Sequence, residues 1–407
     1  MRGRLVLALV LCAGAAHGVE LRVGVDGPDV QRTLDRAQDG DVVLVPPGVW
    51  RGPVVLDKRV TLRGAGGSLD GGGSGTVLRV RAAGAVVEGL RVQASGQDLG
   101  GPDACIYVEK VAVGARLSDN HLTDCAFGIW VHETEHAQII GNRVIGSVTG
   151  HRSNRGNGIH LFNAKHLVVR GNEISGGRDG IYVSATEESL IEANTMTGTR
   201  YGIHYMFSYS NQVRRNVVRD STNGFALMSS HHLEVEDNVA SGNAERGLLL
   251  RDVEYCTIAR NRLERNGEGL FMYSTTENLI VENVMIHNEV GARIWAGSVR
   301  NDVRRNTFAG NRIQIFYVGA EDLIWGDPLP GNYWADYLGW DQDGDGVGDR
   351  PYRVDSFTSR LTYTYPAAAL LLRSPALELL AHLEQRVAVM RVPTAVDLRP
   401  LIVRATP

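Results

Sequence analysis

The chain has 407 residues, of which 43% are hydrophobic and 22% charged: enough apolar material for a large core, and too little charge for a disordered chain. Its net charge of −4 offers no basic surface, which argues against a nucleic-acid partner. No apolar run beyond the amino terminus is long enough to span a bilayer.

Residues 1–18 read as a secretory signal peptide. Arg2 and Arg4 precede an apolar run from Leu5 to Ala13, and Ala16-His17-Gly18 supplies small residues for cleavage near Gly18. Next, Val30 to Ala37 has helical spacing of its apolar residues, followed by a strand over Val42 to Val45 and the turn Pro46-Pro47-Gly48. A helix here would cap the open end of a stacked sheet. The coils themselves are expected from Val60-Thr61-Leu62-Arg63-Gly64 onward.

Asparagine then recurs at Asn120, Asn142, Asn172, Asn194, Asn216, Asn238, Asn261, Asn283 and Asn306, at steps of 22 or 23 residues apart from one step of 30. The long step carries eight extra residues within Ser147 to Asn157, which reads as a loop inserted into one repeat. A fixed period of this length marks a solenoid whose units bury their apolar faces by stacking. Each repeat also opens a short strand with a glycine. One residue after it stand Ile129, Ile159, Ile181, Ile203, Phe225, Leu248, Leu270 and Ala292; three after it stand Val131, Leu161, Val183, Tyr205, Leu227, Leu250, Met272 and Ile294. Strand side chains alternate, so these two columns form the interior. The asparagines form a turn ladder that satisfies backbone groups. The expected fold is all-β, a right-handed parallel β-helix over 19–318 with an amino-terminal helical cap. A Gly/Asp/aromatic segment over 319–365 and a helical tail over 366–407 follow it. Cys105 and Cys125 lie about one coil apart and would pair if neighbouring rungs bring them within reach, while Cys256 is left as a small core residue.

The columns two and four residues after each glycine face outward. They carry Trp130, His160, Tyr182, His204, Ala226, Leu249, Phe271 and Arg293, then His132, Phe162, Ser184, Met206, Met228, Arg251, Tyr273 and Trp295. A face this aromatic reads as a binding surface, with Trp130, His132, His160, Phe162, Tyr182, Phe271, Tyr273 and Trp295 as its candidate contacts. Met206 and Met228 share one position on successive repeats, and His204 lies two residues from Met206. Two thioethers and an imidazole form a soft donor set suited to Cu(I), and His231 and His232, close by in sequence, are candidate copper ligands with them. The plain alternative is that these methionines fill gaps in packing. Further on, Asp341, Asp343, Asp345 and Asp349 resemble the first half of a calcium loop, but Tyr352 stands where such a loop places its bidentate glutamate. The expectation there is Ca²⁺, or otherwise an acidic glycine-rich turn.

The strings Gly331-Asn332-Tyr333-Trp334-Ala335-Asp336-Tyr337, Asp341 to Asp349 with Pro351 and Tyr352, and Ser374-Pro375-Ala376-Leu377-Glu378 resemble the NosD family. These are exported β-helical maturation factors of nitrous oxide reductase, and the likeness extends over nearly the whole chain. The resemblance implies a periplasmic protein without catalytic activity. It would dock on a membrane ABC transporter of permease and ATPase subunits, receive copper from a small lipoprotein copper chaperone, and pass it to apo nitrous oxide reductase. The segment Pro366 to Val389 would be either a transporter-docking helix or an end cap. Two rival readings remain: a polysaccharide lyase, hydrolase or epimerase, whose paired carboxylates the outward columns lack, and a metal-free docking scaffold.

Overall fold

The computed structural model describes residues 18–295, 297–354, 374–375, 379 and 393–404. The expected signal peptide lies outside the described residues, as does the Pro366 to Val389 segment save Ser374, Pro375 and Leu379. The chain winds as a parallel β-helix with three sheets of 13, 12 and 13 strands, each coil giving one strand to each sheet. Pairing proceeds rung by rung: Ile159 sits beside Ile181, Ile181 beside Ile203, and Ile203 beside Phe225. Both inward columns are buried, from Ile129 and Val131 to Ala292 and Ile294.

Short strands need sharp corners, and the residue before each ladder asparagine takes a left-handed backbone: Asp119, Gly141, Gly171, Ala193, Arg215, Asp237, Arg260, Glu282 and Arg305. For residues other than glycine that conformation is costly, and the asparagine side chains offset it. The Nδ2 of Asn194 donates to Asn216 Oδ1 at 3.0 Å and to the Val169 carbonyl at 2.9 Å, and the Asn194 backbone N–H reaches the same Oδ1 at 3.0 Å. The pattern repeats from Asn120 through Asn306 and ends on Asn332. A second ladder, Asn243–Asn266–Asn288–Asn311, runs along another corner at the same spacing and was not anticipated.

The long step is a surface loop. Pairing passes directly from Ile129 to Ile159, and the inserted residues leave the stack around a short turn at Arg152–Asn154. There the Arg152 guanidinium bonds the hydroxyl of Thr222. Cys105 and Cys125 are joined in a disulfide with their Cα atoms 5.5 Å apart. Cys256 is a buried free thiol whose pKa burial pushes up to about 12.

Two boundaries differ from expectation. The coils begin earlier than Val60, because Glu20–Arg22 pairs with Val42–Val45, which pairs with Thr61–Gly64. The helix Val30–Arg36, capped by the Asp29 carboxylate on the Arg32 N–H at 2.8 Å, interrupts that first coil and hides its period. At the other end Ile313–Val318 lies on Val290–Trp295 inside the expected span, and stacking continues past 318, where Tyr333–Trp334 lies on Thr307–Ala309. A small sheet of Leu323–Trp325, Ala395–Asp397 and Tyr352–Arg353 closes this end. Asp397, fully buried, accepts from the Asn332 N–H at 2.6 Å and Trp334 Nε1 at 2.9 Å, and so ends the main asparagine ladder.

Candidate metal site and docking face

The outward columns lie in register on the sheet that contains Tyr201–Met206 and Asn223–His231. His204 stands beside Ala226, and Met206 beside Met228. The surroundings of His204 are more elaborate than counting by twos implies. Its Nδ1 lies 3.0 Å from Asp179 Oδ2. Asp179 is fully buried and also receives Arg200 at two points, Nε at 2.9 Å and Nη2 at 2.7 Å. Burial alone would raise the Asp179 pKa, but hydrogen bonds from His204 and Arg200 outweigh it and hold the carboxyl below its ordinary range. When the imidazole is neutral, its Nδ1–H donates to this carboxylate and the lone pair sits on Nε2. That Nε2 is buried and has no hydrogen-bond partner among the described residues, and His204 as a whole is only 6% exposed.

Around this ring stand Tyr201, with centroids 4.7 Å apart, and Tyr182, edge-on at 5.1 Å. Met206 is half-buried, while Met228 is 5% exposed despite its outward position. It lies in a small apolar cluster with Ala226 and Leu249, against which Tyr201 and Phe271 pack. His231 and His232 belong elsewhere. Ser229 turns the backbone at φ 48°, and the two histidines stand on a corner of the coil, with their Nδ1 atoms 2.8 Å apart.

The aromatic candidates divide into two stretches of the same face. At one end Trp130 stacks on His160 at 4.5 Å and His132 on Phe162 at 5.4 Å. Burial, with Arg178 and His132 nearby, lowers the His160 pKa to about 3, so this ring is neutral at ordinary pH. At the other end Arg246, Glu268, Phe271, Tyr273, Arg293 and Trp295 line an open groove of about 400 Å³. Glu268 pairs with Arg246 at 3.0 Å and also with Arg293, and the Arg246 guanidinium lies 4.4 Å over the Phe271 ring.

Asp179, Arg246 and Glu268 were missed by the column count. Each occupies the position just before the strand glycine, where alternation predicts an inward side chain. Gly180 permits the exception: a Cβ there would lie 2.5 Å from the Gly202 carbonyl oxygen, so the rungs approach too closely for regular pleating. A third column read along the pre-glycine positions would have revealed these charged residues.

In the acidic loop the carboxylates of Asp341, Asp343 and Asp345 lie within 4.8 Å of one another. Asp349 is not in that group; its carboxylate accepts from the Gln342 N–H at 2.7 Å. Asp341 accepts from the N–H groups of Gly344 and Gly346 at 2.7 and 2.9 Å, bonds that an acidic glycine-rich turn makes by itself. Among the described residues no helix is long and apolar enough to cross a membrane.

A family model described as "Periplasmic copper-binding protein (NosD)" matches residues 142–339. The chain is 44% identical over 370 residues to a Pseudomonas aeruginosa protein named "Probable ABC transporter binding protein NosD", covering 87% of this chain and 86% of that one. It is 36% identical over 414 residues to a protein of the same name from Stutzerimonas stutzeri, covering 98% and 93%. Among solved structures, the A-module of the mannuronan C-5 epimerase AlgE6 from Azotobacter vinelandii aligns with a TM-score of 0.55 at 13% identity, over 74% of this chain and 92% of that one. At that identity the likeness is one of fold alone.

Proposed function

Because this chain belongs to the NosD family, we propose that it is a periplasmic accessory protein that accepts Cu(I) on its outer sheet and delivers it to apo nitrous oxide reductase. A lipoprotein copper chaperone supplies the ion, and a membrane ABC transporter supplies the work that alternates acceptance with release. The relatives' printed names support the transporter association, and the family description supports copper and the periplasm.

The observation that carries the copper reading is the free nitrogen of His204. A desolvated imidazole lone pair with its other nitrogen fixed by a carboxylate is the arrangement in which proteins present histidine to a metal. Met206 and Met228, in register on neighbouring strands, add the thioethers that favour the monovalent ion. The apolar cluster around Met228 keeps water from that thioether. The ion is cargo here, so a site with few donors and one half-covered ligand suits transfer better than storage.

The carbohydrate-enzyme reading loses ground on distance as well as on the relatives' names. Asp179 and Glu268, the two carboxylates that immediately precede a repeat glycine, are four rungs apart. At about 4.8 Å per rung that is about 19 Å, against the roughly 5–9.5 Å at which carboxyl pairs flank a glycosidic bond. Both are also engaged by guanidinium groups.

The test is a competitive Cu(I) titration under anaerobic conditions, run beside a Met206→Ala, Met228→Ala double variant. The parent should bind, and the variant should lose more than the roughly 10–100-fold that removal of an outer partner costs. Equal affinity in both would sink the site. No binding by the parent would leave a docking scaffold as the better account.

A further inference from the structure

Arg91, His121 and Arg143 stand on a different sheet from the methionine face, each opening a short strand: Arg91–Gln93, His121–Thr123 and Arg143–Ile145. The middle residues Val92, Leu122 and Val144 are buried in the core, so alternation turns the three leading side chains outward. They lie in register on successive rungs, with Arg91 on one side of His121 and Arg143 on the other. The backbone holds them there: the His121 N–H donates to the Leu90 carbonyl at 2.9 Å, and the Arg143 N–H to the Asn120 carbonyl at 2.8 Å.

This row lacks the carboxylates that many arginines on the coils meet on a neighbouring rung, as Arg63 meets Glu88, Arg170 meets Glu192 and Arg305 meets Glu282. Arg91 and Arg143 are exposed, and their guanidinium groups make no hydrogen bond or ion pair among the described residues. Glu173 is in register with Arg143 on the next rung, yet the two do not pair. Between the arginines, the Nε2 of His121 is buried and has no hydrogen-bond partner among the described residues. Burial, with Arg143 and Arg91 nearby, lowers the His121 pKa, so the ring is neutral at ordinary pH and one of its tautomers offers an Nε2–H.

Arg91 and Arg143 are two rungs apart, about 9.6 Å. A tetrahedral oxyanion that accepts a charge-assisted hydrogen bond of about 2.8 Å on each side fills about 8 Å of such a gap, and flexible arginine side chains close the rest. Donors on three successive rungs call for three acceptor oxygens, which a phosphate has and a carboxylate lacks. The planar fork of arginine also matches phosphate oxygens.

We propose that Arg91, His121 and Arg143 form an oxyanion site that takes a phosphate group, with a guanidinium on each side and the His121 Nε2–H between them. The site is remote from the copper reading and does not depend on it. Free phosphate and the headgroup of an anionic phospholipid present the same chemistry, and the experiment separates these sources.

The full chain, with its histidine rings labelled with carbon-13, is titrated with inorganic phosphate at constant ionic strength and followed by nuclear magnetic resonance. The resonance that disappears in His121→Gln should shift saturably with phosphate and stay still with chloride. Arg91→Gln, Arg143→Gln together should weaken the binding at least about 10-fold. Both arginines are exposed, so the fold should survive, which circular dichroism checks. Sedimentation with vesicles of phosphatidylglycerol, beside vesicles of phosphatidylcholine, then identifies the source. Retention on the anionic vesicles that phosphate competes away and the double-arginine variant loses assigns the lipid headgroup; phosphate binding without retention assigns the free anion. No saturable shift of His121 together with no retention overturns the site, as does phosphate binding that is unchanged in the double-arginine variant.

Discussion

Asp179 determines which nitrogen of His204 is free, and it does so at the cost of burying a charge. With Asp179→Asn, Cu(I) affinity should fall by about 10–100-fold, since an amide no longer demands the Nδ1 proton; the anaerobic titration reads this directly. The same substitution should change how stability responds to acid. A carboxyl whose folded pKa is held down contributes stability above its unfolded value, and that contribution disappears as pH falls through the folded value. Urea unfolding of the parent should therefore weaken as the pH drops below about 4, more steeply than in Asp179→Asn. At this scale the sequence was half legible. Counting by twos puts His204, Met206 and Met228 on one face, but it fails across Gly180, and it cannot foresee that Tyr201 and Phe271 pack against the cluster that buries Met228.

The asparagine ladder is where local strain and stacking meet. Each side chain offsets a left-handed corner and also binds its neighbour, so one substitution damages two rungs. Asn216→Ala removes the donor to the Ile191 carbonyl and to Asn238, and strips Asn194 of its acceptor. Leaving such buried groups unpaired should cost about 2–4 kcal/mol, seen as a lower urea midpoint. Because the strands of each coil pair only with those of neighbouring coils, a lesion in the middle should also broaden the transition. The main ladder could be read from spacing alone. Asn243, Asn266, Asn288 and Asn311 keep the same spacing but are harder to see, because the same corner carries Thr199 and Ser221 on earlier coils and the residue type changes along it. The first coil was hidden for a different reason: a helix replaces part of its repeat.

For the whole molecule the decisive question is how a stack of this length ends. Residues 395–397 close it, and Asp397 takes the place that a further asparagine would fill. Burial raises the pKa of this carboxyl, against the opposing hydrogen bonds of Asn332, Trp334 and Arg399. The sign is opposite to that of Asp179: its contribution is full below the unfolded pKa and is lost as pH rises through the folded one. Asp397→Ala should cost about 2–4 kcal/mol by orphaning Asn332 and Trp334. Asp397→Asn should lose less, and the parent should gain on it as the medium is acidified, which thermal melts at several pH values would follow.

The outer sheet also has a direction. Trp130 lies three rungs to one side of His204 and Arg293 four rungs to the other, about 14 Å and 19 Å at 4.8 Å per rung. Rings stack on each other along one flank, and guanidinium groups lie over rings on both. Under the proposed delivery, two partners would have room to sit on this face side by side, one on each flank, with the buried nitrogen at the seam between them. An ion resting at that seam would then change owners without travelling.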